Sequence, residues 1–355
     1  MQRGRRLGLV LGLASVAAVL LAEVGLRLAW PQIFPPQAPG MYSPDPELGH
    51  VLTPDFAGQF TRAEFSVGVR TNSLGVRGPA LAPRGPDTLR ILCLGDSTAW
   101  GWGVAEEEAY APRVEALLRA RHPLLDVQVL NGAIPQYGLD EELVFFARHG
   151  AALDPDFVVL QFYAGDDFEQ TRRPSRERYA LRDGELVQQS DYGVVIGPPW
   201  WRVLSWLKHR SHLVHLVSER AGALAMSSGF LSVSDWEHAS STYFTAEDAA
   251  RVRARLGEIV ALAGKRGART LVVFAPERMQ VLAGSSAPLP AAEMVGSAAR
   301  EAGAAFIDLT PHLLAQPKPA ALYFEEEGHW RARGHALVAQ VIAAEIESLG
   351  WLERP

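Results

Sequence analysis

The chain is poor in cysteine and lysine, and its net charge is negative. Cys93 is its single cysteine, which excludes an intrachain disulfide, a cysteine zinc site and a CxxC redox pair. Lysine occurs three times, the formal net charge is −6, and beyond residue 34 acidic groups exceed basic ones by nine. Nucleic-acid binding is therefore not expected. Hydrophobic residues make up 48% of the 355 residues and charged ones 21%, as in globular proteins of one or two domains.

An apolar run near the N-terminus predicts a membrane anchor. A basic flank, residues 3–6, precedes the run Leu7–Ala22, and a helix that continues to Trp30 reaches about 36 Å, enough to cross a bilayer. The basic flank keeps the N-terminus in the cytoplasm and sends the rest of the chain across the membrane. We interpret residues 1–30 as an uncleaved signal anchor with an extracytoplasmic domain behind it.

Two other interpretations of the N-terminus stay open. Small residues at positions 15 and 17, or an apolar and a small residue at 16 and 18, provide weak sites for cleavage of a signal peptide. The run could also be a buried helix of a soluble protein. A lipoprotein is excluded because no cysteine lies near the run. Glu23 and Arg27, four residues apart near its far end, share a helical face and can pair.

The remainder divides into two regions. Residues 31–88 contain several prolines and short alternating runs, which predict a linker and a β-ribbon rather than an independent domain. From residue 89 to 355, short apolar runs alternate with helical stretches, which predicts an α/β fold with a mainly parallel five-stranded sheet covered on both faces. The predicted strands are Leu89–Leu94, Val127–Leu130, Phe157–Phe162, Thr270–Phe274 and Ala304–Ile307.

A long detour separates the third and fourth predicted strands. Residues 168–245 are too many for a plain crossover, and they include a candidate helix, Trp200–Arg220. Ligands of open α/β sheets bind at the carboxyl ends of the strands. We therefore interpret this insertion as a lid that contributes to substrate specificity.

A serine follows the first predicted strand directly. The sequence Gly-Asp-Ser at residues 95–97 places Ser97 at a strand-to-helix turn, where a hydroxyl is exposed to ligand and a backbone N–H can face negative charge. The other interpretation is a turn that is capped by Asp96 or Ser97.

A serine nucleophile needs a base, and the base needs an orienting carboxylate. His329, with Glu326 three residues before it, would place both groups on one short loop ahead of the last predicted helix. An acidic surface loop with a histidine at a helix start is the alternative.

In order along the chain, four blocks resemble the SGNH (GDSL-type) hydrolases, in particular their bacterial membrane-anchored members. The matching residues are Gly95-Asp96-Ser97, Gly132, Gly165-Asp166-Asp167 and Glu326-Glu327-Gly328-His329, with flanking similarity at residues 72–77, 307–309 and 334–335. The resemblance covers roughly residues 65–350. It implies a flavodoxin-like three-layer α/β/α sandwich.

Carried over by position, the resemblance makes Ser97 the nucleophile, His329 the base and Glu326, or else Glu327, the triad acid. The N–H groups of Ser97 and Gly132 and the side chain of residue 166 would form the oxyanion hole.

Two positions depart from the family pattern. A glutamate replaces the aspartate of the triad, which other serine triads tolerate. Asp166 stands where the family has asparagine, and an ionised carboxylate about 4 Å from an oxyanion repels it by roughly 4 kcal/mol at an effective dielectric constant of 20. Asp166 must therefore be protonated or displaced, or activity is low.

The expected function is an extracytoplasmic serine esterase that hydrolyses small acyl esters, including acylated glycans, with no cofactor and no metal. One alternative is an O-acyltransferase that acts on a cell-surface polysaccharide. Another is a degenerate glycan-binding protein without turnover, which Asp166 favours. The acyl donor, the acceptor and the oligomeric state are not predicted.

Other candidate residues receive structural interpretations. Three histidines spaced by three fan around the predicted helix and do not form a helical metal pair. Four tryptophans could stack on sugars, but lid packing or membrane contact explains them better. Cys93 is expected to be a small core residue. The histidines are His209, His212 and His215, and the tryptophans are Trp200, Trp201, Trp206 and Trp236.

Overall fold

The computed structural model describes residues 2–31, 38–62, 64–182, 185–188, 207, 210–217, 220, 244–284, 289–325 and 328–353. A five-stranded parallel sheet lies at its centre, with the strand order β11-β10-β7-β5-β6. Its strands are β5 (Thr88–Leu94), β6 (Asp126–Asn131), β7 (Phe157–Tyr163), β10 (Arg269–Ala275) and β11 (Ala305–Asp308). The predicted strands differ from these by at most two residues at either end.

Helices cover both faces of this sheet, which confirms the predicted α/β/α sandwich. Helix α3 packs against α11, and on the other face α4 packs against α7, which packs against α9. The bounds are α3 Tyr110–Arg121, α4 Leu139–Leu153, α7 Ala246–Lys265, α9 Pro290–Glu301 and α11 Ala332–Ser348. The short helices are α2 (Ser97–Trp100), α5 (Asp167–Arg172), α6 (Ser175–Arg178), α8 (Arg278–Leu282) and α10 (Thr310–Leu314).

The apolar pattern explains the layers. Every residue of β5 is buried, as is expected for a central strand that is covered on both faces. The outer helices are amphipathic, and α9 buries its small residues Ala291, Ala292, Ala298 and Ala299 against the sheet.

Two antiparallel hairpins precede the sheet where the sequence predicts a β-ribbon. They are β1 (Tyr42–Asp45) with β2 (Gly49–Leu52), and β3 (Ala57–Thr61) with β4 (Ser66–Arg70). Met41, Leu48, Leu52, Phe60 and Val69 are buried in the same hydrophobic core as the central sheet. The hairpins are therefore packed onto the α/β unit.

Helix α1 (Gln2–Ala29) contains a stretch, Val10–Ala29, that is long and apolar enough to cross a membrane. Its mean hydropathy is 1.9 and none of it is buried. The interpretation of this run as a buried helix of a soluble protein is therefore wrong.

The described part of the insertion starts with α5, α6 and an antiparallel hairpin, β8 (Tyr179–Arg182) with β9 (Glu185–Gln188). The sequence predicts one continuous helix over 200–220, but the chain is not helical at Arg210 and Ser211. The reason is a new cap, since Ser211 Oγ accepts a hydrogen bond from the N–H of Val214 and starts a separate helical turn.

Candidate active site

The turn after β5 places Ser97 at the first position of α2. Gly95 has a φ of 151°, and a Cβ there would lie 2.5 Å from the Cβ of Ala99, so a glycine is required. Asp96 caps the helix, since its Oδ1 accepts a hydrogen bond from Thr98 N at 2.8 Å. Both sequence interpretations of this motif are therefore compatible, because Asp96 is the cap and the hydroxyl of Ser97 is left for another partner.

That partner is His329. Ser97 Oγ lies 2.8 Å from His329 Nε2, although 232 residues separate them. In the tautomer with a proton on Nδ1, the hydroxyl donates and Nε2 accepts. The loop that carries the histidine is closed by a hydrogen bond from Phe324 N to His329 O at 2.9 Å and by a β-bridge between Tyr323 and Trp330. This is the geometry of a nucleophile and its base.

Aromatic contacts that the sequence analysis missed orient the imidazole. Trp102 stacks on His329 with ring centroids 5.3 Å apart and an interplanar angle of 21°. Phe60 of β3 packs edge-on against Trp102 at 4.6 Å, and the guanidinium of Arg62 lies 5.6 Å from the Trp102 ring centre. The only signal was Trp102 between two glycines, Gly101 and Gly103, and a pattern of periodicity cannot relate it to a histidine far along the chain.

The β3–β4 hairpin also holds the histidine loop from the outside. Glu64 accepts a hydrogen bond from the backbone N–H of Glu325 at 2.8 Å and forms an ion pair with Arg331 at 3.5 Å. Phe65 packs against Phe324 with centroids 5.5 Å apart. The N-terminal extension thus forms one wall of the site.

A buried arginine supports the segment that follows Ser97. Arg77 donates hydrogen bonds to the carbonyls of Trp100 (2.6 Å), Gly101 (2.8 Å) and Val104 (2.8 Å). It is presented by a turn in which Asn72 Oδ1 accepts hydrogen bonds from two later backbone N–H groups. The family resemblance over residues 72–77 therefore reflects support of the serine turn.

Gly132 follows β6, the neighbour of β5, at the same edge of the sheet as Ser97. A Cβ on Gly132 would lie 2.7 Å from Leu92 Cδ1 and 3.3 Å from Cys93 O, so the close approach requires glycine. Two residues later, Ile134 N donates to Gly95 O at 3.0 Å. The Gly132 loop is therefore hydrogen-bonded to the serine turn.

Asp166 follows β7, on the other side of β5, and is half-buried. Burial raises its pKa to about 6, while Arg178 acts in the opposite direction. Burial, and next the carboxylate of Asp166, raise the pKa of Asp96 to about 7. The two carboxyl groups thus lie close enough to influence each other's charge, and Asp166 carries a proton over an acidic range that reaches about pH 6.

Two further buried carboxyl groups lie close enough to Asp96 to be affected by its charge. Glu142 and Asp167 are each 1% exposed, and burial, followed by the charge of neighbouring carboxylates, raises the pKa of both well above ordinary values. Asp167 Oδ2 accepts a hydrogen bond from Tyr163 N at 2.7 Å. Ionisation is therefore disfavoured near Asp96, the residue before Ser97.

The insertion contributes a second arginine to the site. Arg178 is buried and donates to the carbonyl of Gln136 at 2.8 Å and to that of Arg173 at 2.8 Å. Gln136 has a φ of 71°, which is uncommon for a residue other than glycine, and it lies on the loop that follows Gly132. Arg178 thus fixes the Gly132 loop from the side of the insertion.

Several predicted residues lie outside the described part of the chain. Both candidate triad acids, one of the three histidines and the four tryptophans of the insertion are among them, namely Glu326, Glu327, His209, Trp200, Trp201, Trp206 and Trp236. Of the other predicted residues, Cys93 lies buried in β5 and His212 lies in the insertion. Among the described residues, no group of three or more histidine, cysteine or acidic side chains is arranged to hold a metal ion.

Comparison with solved structures finds several similar folds. A lipase/acylhydrolase from Enterococcus faecalis is 15% identical, with a TM-score of 0.40, and the match covers 73% of this chain and 96% of that one. An acetylxylan esterase from Geobacillus stearothermophilus is 15% identical over 73% and 94% of the two chains, with a TM-score of 0.40. A two-domain esterase active on acetylated mannans is 17% identical over 74% and 49%, with a TM-score of 0.41. No curated protein matches the chain.

A family model identifies the chain more directly. The model of the GDSL-like lipase/acylhydrolase family matches residues 93–337, which begin just before the Gly-Asp-Ser turn and end within α11 beyond His329. The chain belongs to the GDSL-like lipase/acylhydrolase family and is a hydrolase that acts on ester bonds.

Proposed function

We propose that the protein is an extracytoplasmic serine esterase that hydrolyses small acyl esters, including O-acetyl groups on glycans, through an acyl-enzyme on Ser97. The observation that carries this proposal is the 2.8 Å contact between Ser97 Oγ and His329 Nε2 at the carboxyl edge of the sheet. We assign the triad acid to Glu326 on the family resemblance.

The reaction follows from these roles. Ser97 Oγ attacks the acyl carbonyl carbon while its proton passes to His329 Nε2, and the carbonyl oxygen becomes an oxyanion. The N–H groups of Ser97 and Gly132 stabilise that charge, joined by Asp166 when it is protonated. The intermediate expels the alcohol, which takes the proton from His329. Water then attacks the acyl-enzyme, again through His329, and the carboxylic acid is released.

The carboxyl group at position 166 favours a second candidate function, that of a glycan-binding protein without turnover. An ionised Asp166 would oppose the oxyanion and leave binding as the remaining activity. A transferase would use the same residues, with a sugar hydroxyl in place of water.

One assay separates these functions. The full-length protein in detergent is incubated with short-chain esters and acetylated glycans, with Ser97→Ala as the matched control. Acyl release to water that the control lacks supports the esterase. Transfer to an added glycan supports the transferase, and binding without either reaction supports the glycan-binding protein.

For location, we propose that residues 1–30 are an uncleaved anchor, residues 31–88 an extension, and residues 89–355 the hydrolase domain outside the cytoplasm. The exposed, apolar α1 and its basic flank support this. A reporter fused after residue 355 should be active outside the cytoplasm, and the protein should remain in the membrane fraction. Cytoplasmic reporter activity would refute the orientation, and release of a chain without residues 1–17 would show a cleaved signal.

A further inference from the structure

Within the described part of the chain, helix α1 is hydrogen-bonded to the insertion near its C-terminal end. From Val10 to Trp30 every residue is exposed except Glu23 and Leu26, which are half-buried. These two residues are three positions apart and lie on one face of the helix. The helix therefore extends away from the hydrolase domain and meets it at this face.

The contact is made by the insertion. The carboxylate of Glu23 accepts hydrogen bonds from Ser211 Oγ (2.8 Å), His212 N (3.1 Å) and Leu213 N (2.9 Å). Arg27 donates to Glu23 Oε1 at 2.8 Å and to the carbonyl of Arg210 at 2.9 Å. Two charged side chains of the anchor are thus joined to the backbone of a segment more than 180 residues away.

The depth of Glu23 makes this contact significant. Glu23 lies inside the apolar stretch Val10–Ala29, and seven residues, or about 10 Å of helix, separate it from Trp30. A carboxylate at this depth in a bilayer is costly unless polar groups surround it. Residues 211–213 supply those groups, so they must reach the depth of Glu23.

The composition of the segment suits that position. Apolar residues follow the contact at positions 213, 214, 216 and 217, and Val217 is 57% exposed. The other three are partly exposed. A short helical turn with partly exposed apolar side chains beside a membrane anchor is typical of a segment that lies in the bilayer interface.

We infer that residues 210–217 are a second membrane-contacting element, fixed to the anchor by Glu23, and that its partner is the outer surface of the bilayer that holds α1. This inference rests on the proposed anchoring. It adds that the insertion, which begins at α5 directly after Asp166, is tied to the membrane in its middle part.

Engineered cysteine pairs test the contact, since the native Cys93 is buried and does not compete. In full-length protein in native membranes, Leu26→Cys with Leu213→Cys should be joined by a short bis-maleimide at least tenfold more than Leu21→Cys with Leu213→Cys. Leu21 is 72% exposed and lies about 200° around the helix from Glu23. Adding Glu23→Leu, which keeps the helix apolar, should abolish the preference.

A photoactivatable phospholipid supplies the second measurement. It should label residues 213–217 in the wild-type protein and at least fivefold less in Glu23→Leu, while esterase activity reports that both proteins are folded. Membrane-bound protein without preferential crosslinking, or with labelling unchanged by Glu23→Leu, overturns the inference and leaves the anchoring intact. Protein found in the soluble fraction overturns both.

Discussion

The indole of Trp102 stacks on the imidazole of His329, with 5.3 Å between the ring centres. Nε2 of the same histidine lies 2.8 Å from Ser97 Oγ. Trp102 is only five residues after the serine, so one short stretch of chain supplies both the hydroxyl and the surface against which its base is oriented. The β3–β4 hairpin packs against the indole of Trp102. The orientation of the base therefore depends on the N-terminal extension as well as on the α/β unit.

Substitution of Trp102 should separate orientation of the base from binding of substrate. Trp102→Phe keeps a stacking surface and should lose less than about threefold in kcat, whereas Trp102→Leu should lose about tenfold to 100-fold with little change in KM. Steady-state kinetics with a short-chain ester measure both values. A leucine variant with wild-type kcat would show that the stack has no role in catalysis.

Ser97→Ala and His329→Ala should each lower kcat by about 10⁴-fold or more, and the double variant should be no worse than either single one. The reason is that nucleophile and base act as one unit. Single-turnover assays with an activated ester provide the measurement. Wild-type turnover in Ser97→Ala would remove the whole catalytic assignment.

The two glutamates before His329 can be compared directly as matched variants. Glu326→Ala should lower kcat, but less than loss of Ser97, because an orienting carboxylate contributes less than the nucleophile. Glu327→Ala should retain most activity. If Glu327→Ala lowers kcat more than Glu326→Ala, the triad acid is Glu327, and the roles of Ser97 and His329 are unaffected.

Asp166→Asn should raise activity at neutral and alkaline pH. The pKa of Asp166 is raised to about 6, so below that pH it is protonated and can donate to an oxyanion, and above it the carboxylate repels the oxyanion. Wild-type kcat/KM should therefore fall as the pH rises through about 6, opposed on the acid side by the need for a neutral His329. The asparagine donates at every pH and should lose this alkaline limb, with a gain of about tenfold or more at pH 8.

Profiles of kcat/KM from about pH 5 to 9 for both proteins decide the role of residue 166. Identical profiles would place residue 166 outside the oxyanion hole. A variant that is less active at every pH would show that the carboxylate has another role.

Arg77→Lys should destabilise the protein by about 3 kcal/mol, because the single nitrogen of a lysine cannot take the positions from which two guanidinium nitrogens reach the three carbonyls. Arg70→Lys is the matched control. Arg70 pairs with Glu106 at 2.7 Å but its side chain is 58% exposed, so its substitution should cost less than about 1 kcal/mol. Urea unfolding followed by tryptophan fluorescence measures both, and equal losses would contradict the assigned role of Arg77.

The strands of the central sheet could be predicted because their signal is local. Burial on both faces requires continuous apolar runs such as Leu89–Leu94, and strand ends differ from the prediction by no more than two residues. The candidate pair Ser97 and His329 could also be predicted from the sequence, since each residue lies in a short motif next to a helix or strand. The prediction of one helix over 200–220 was wrong at Arg210 and Ser211, because Ser211 Oγ accepts a hydrogen bond from the N–H of Val214 and starts a separate helical turn.

The α/β alternation, the apolar N-terminal run and the motif residues can be recognised without the structure, because each depends on neighbours in one short stretch of the chain. The tertiary structure alone decided that Trp102 stacks on His329, that Arg178 holds Gln136, and that Glu23 binds the insertion at Ser211. These contacts join residues from about 40 to 230 positions apart. No periodicity in the sequence encodes such distances, because they follow from the path of the folded chain.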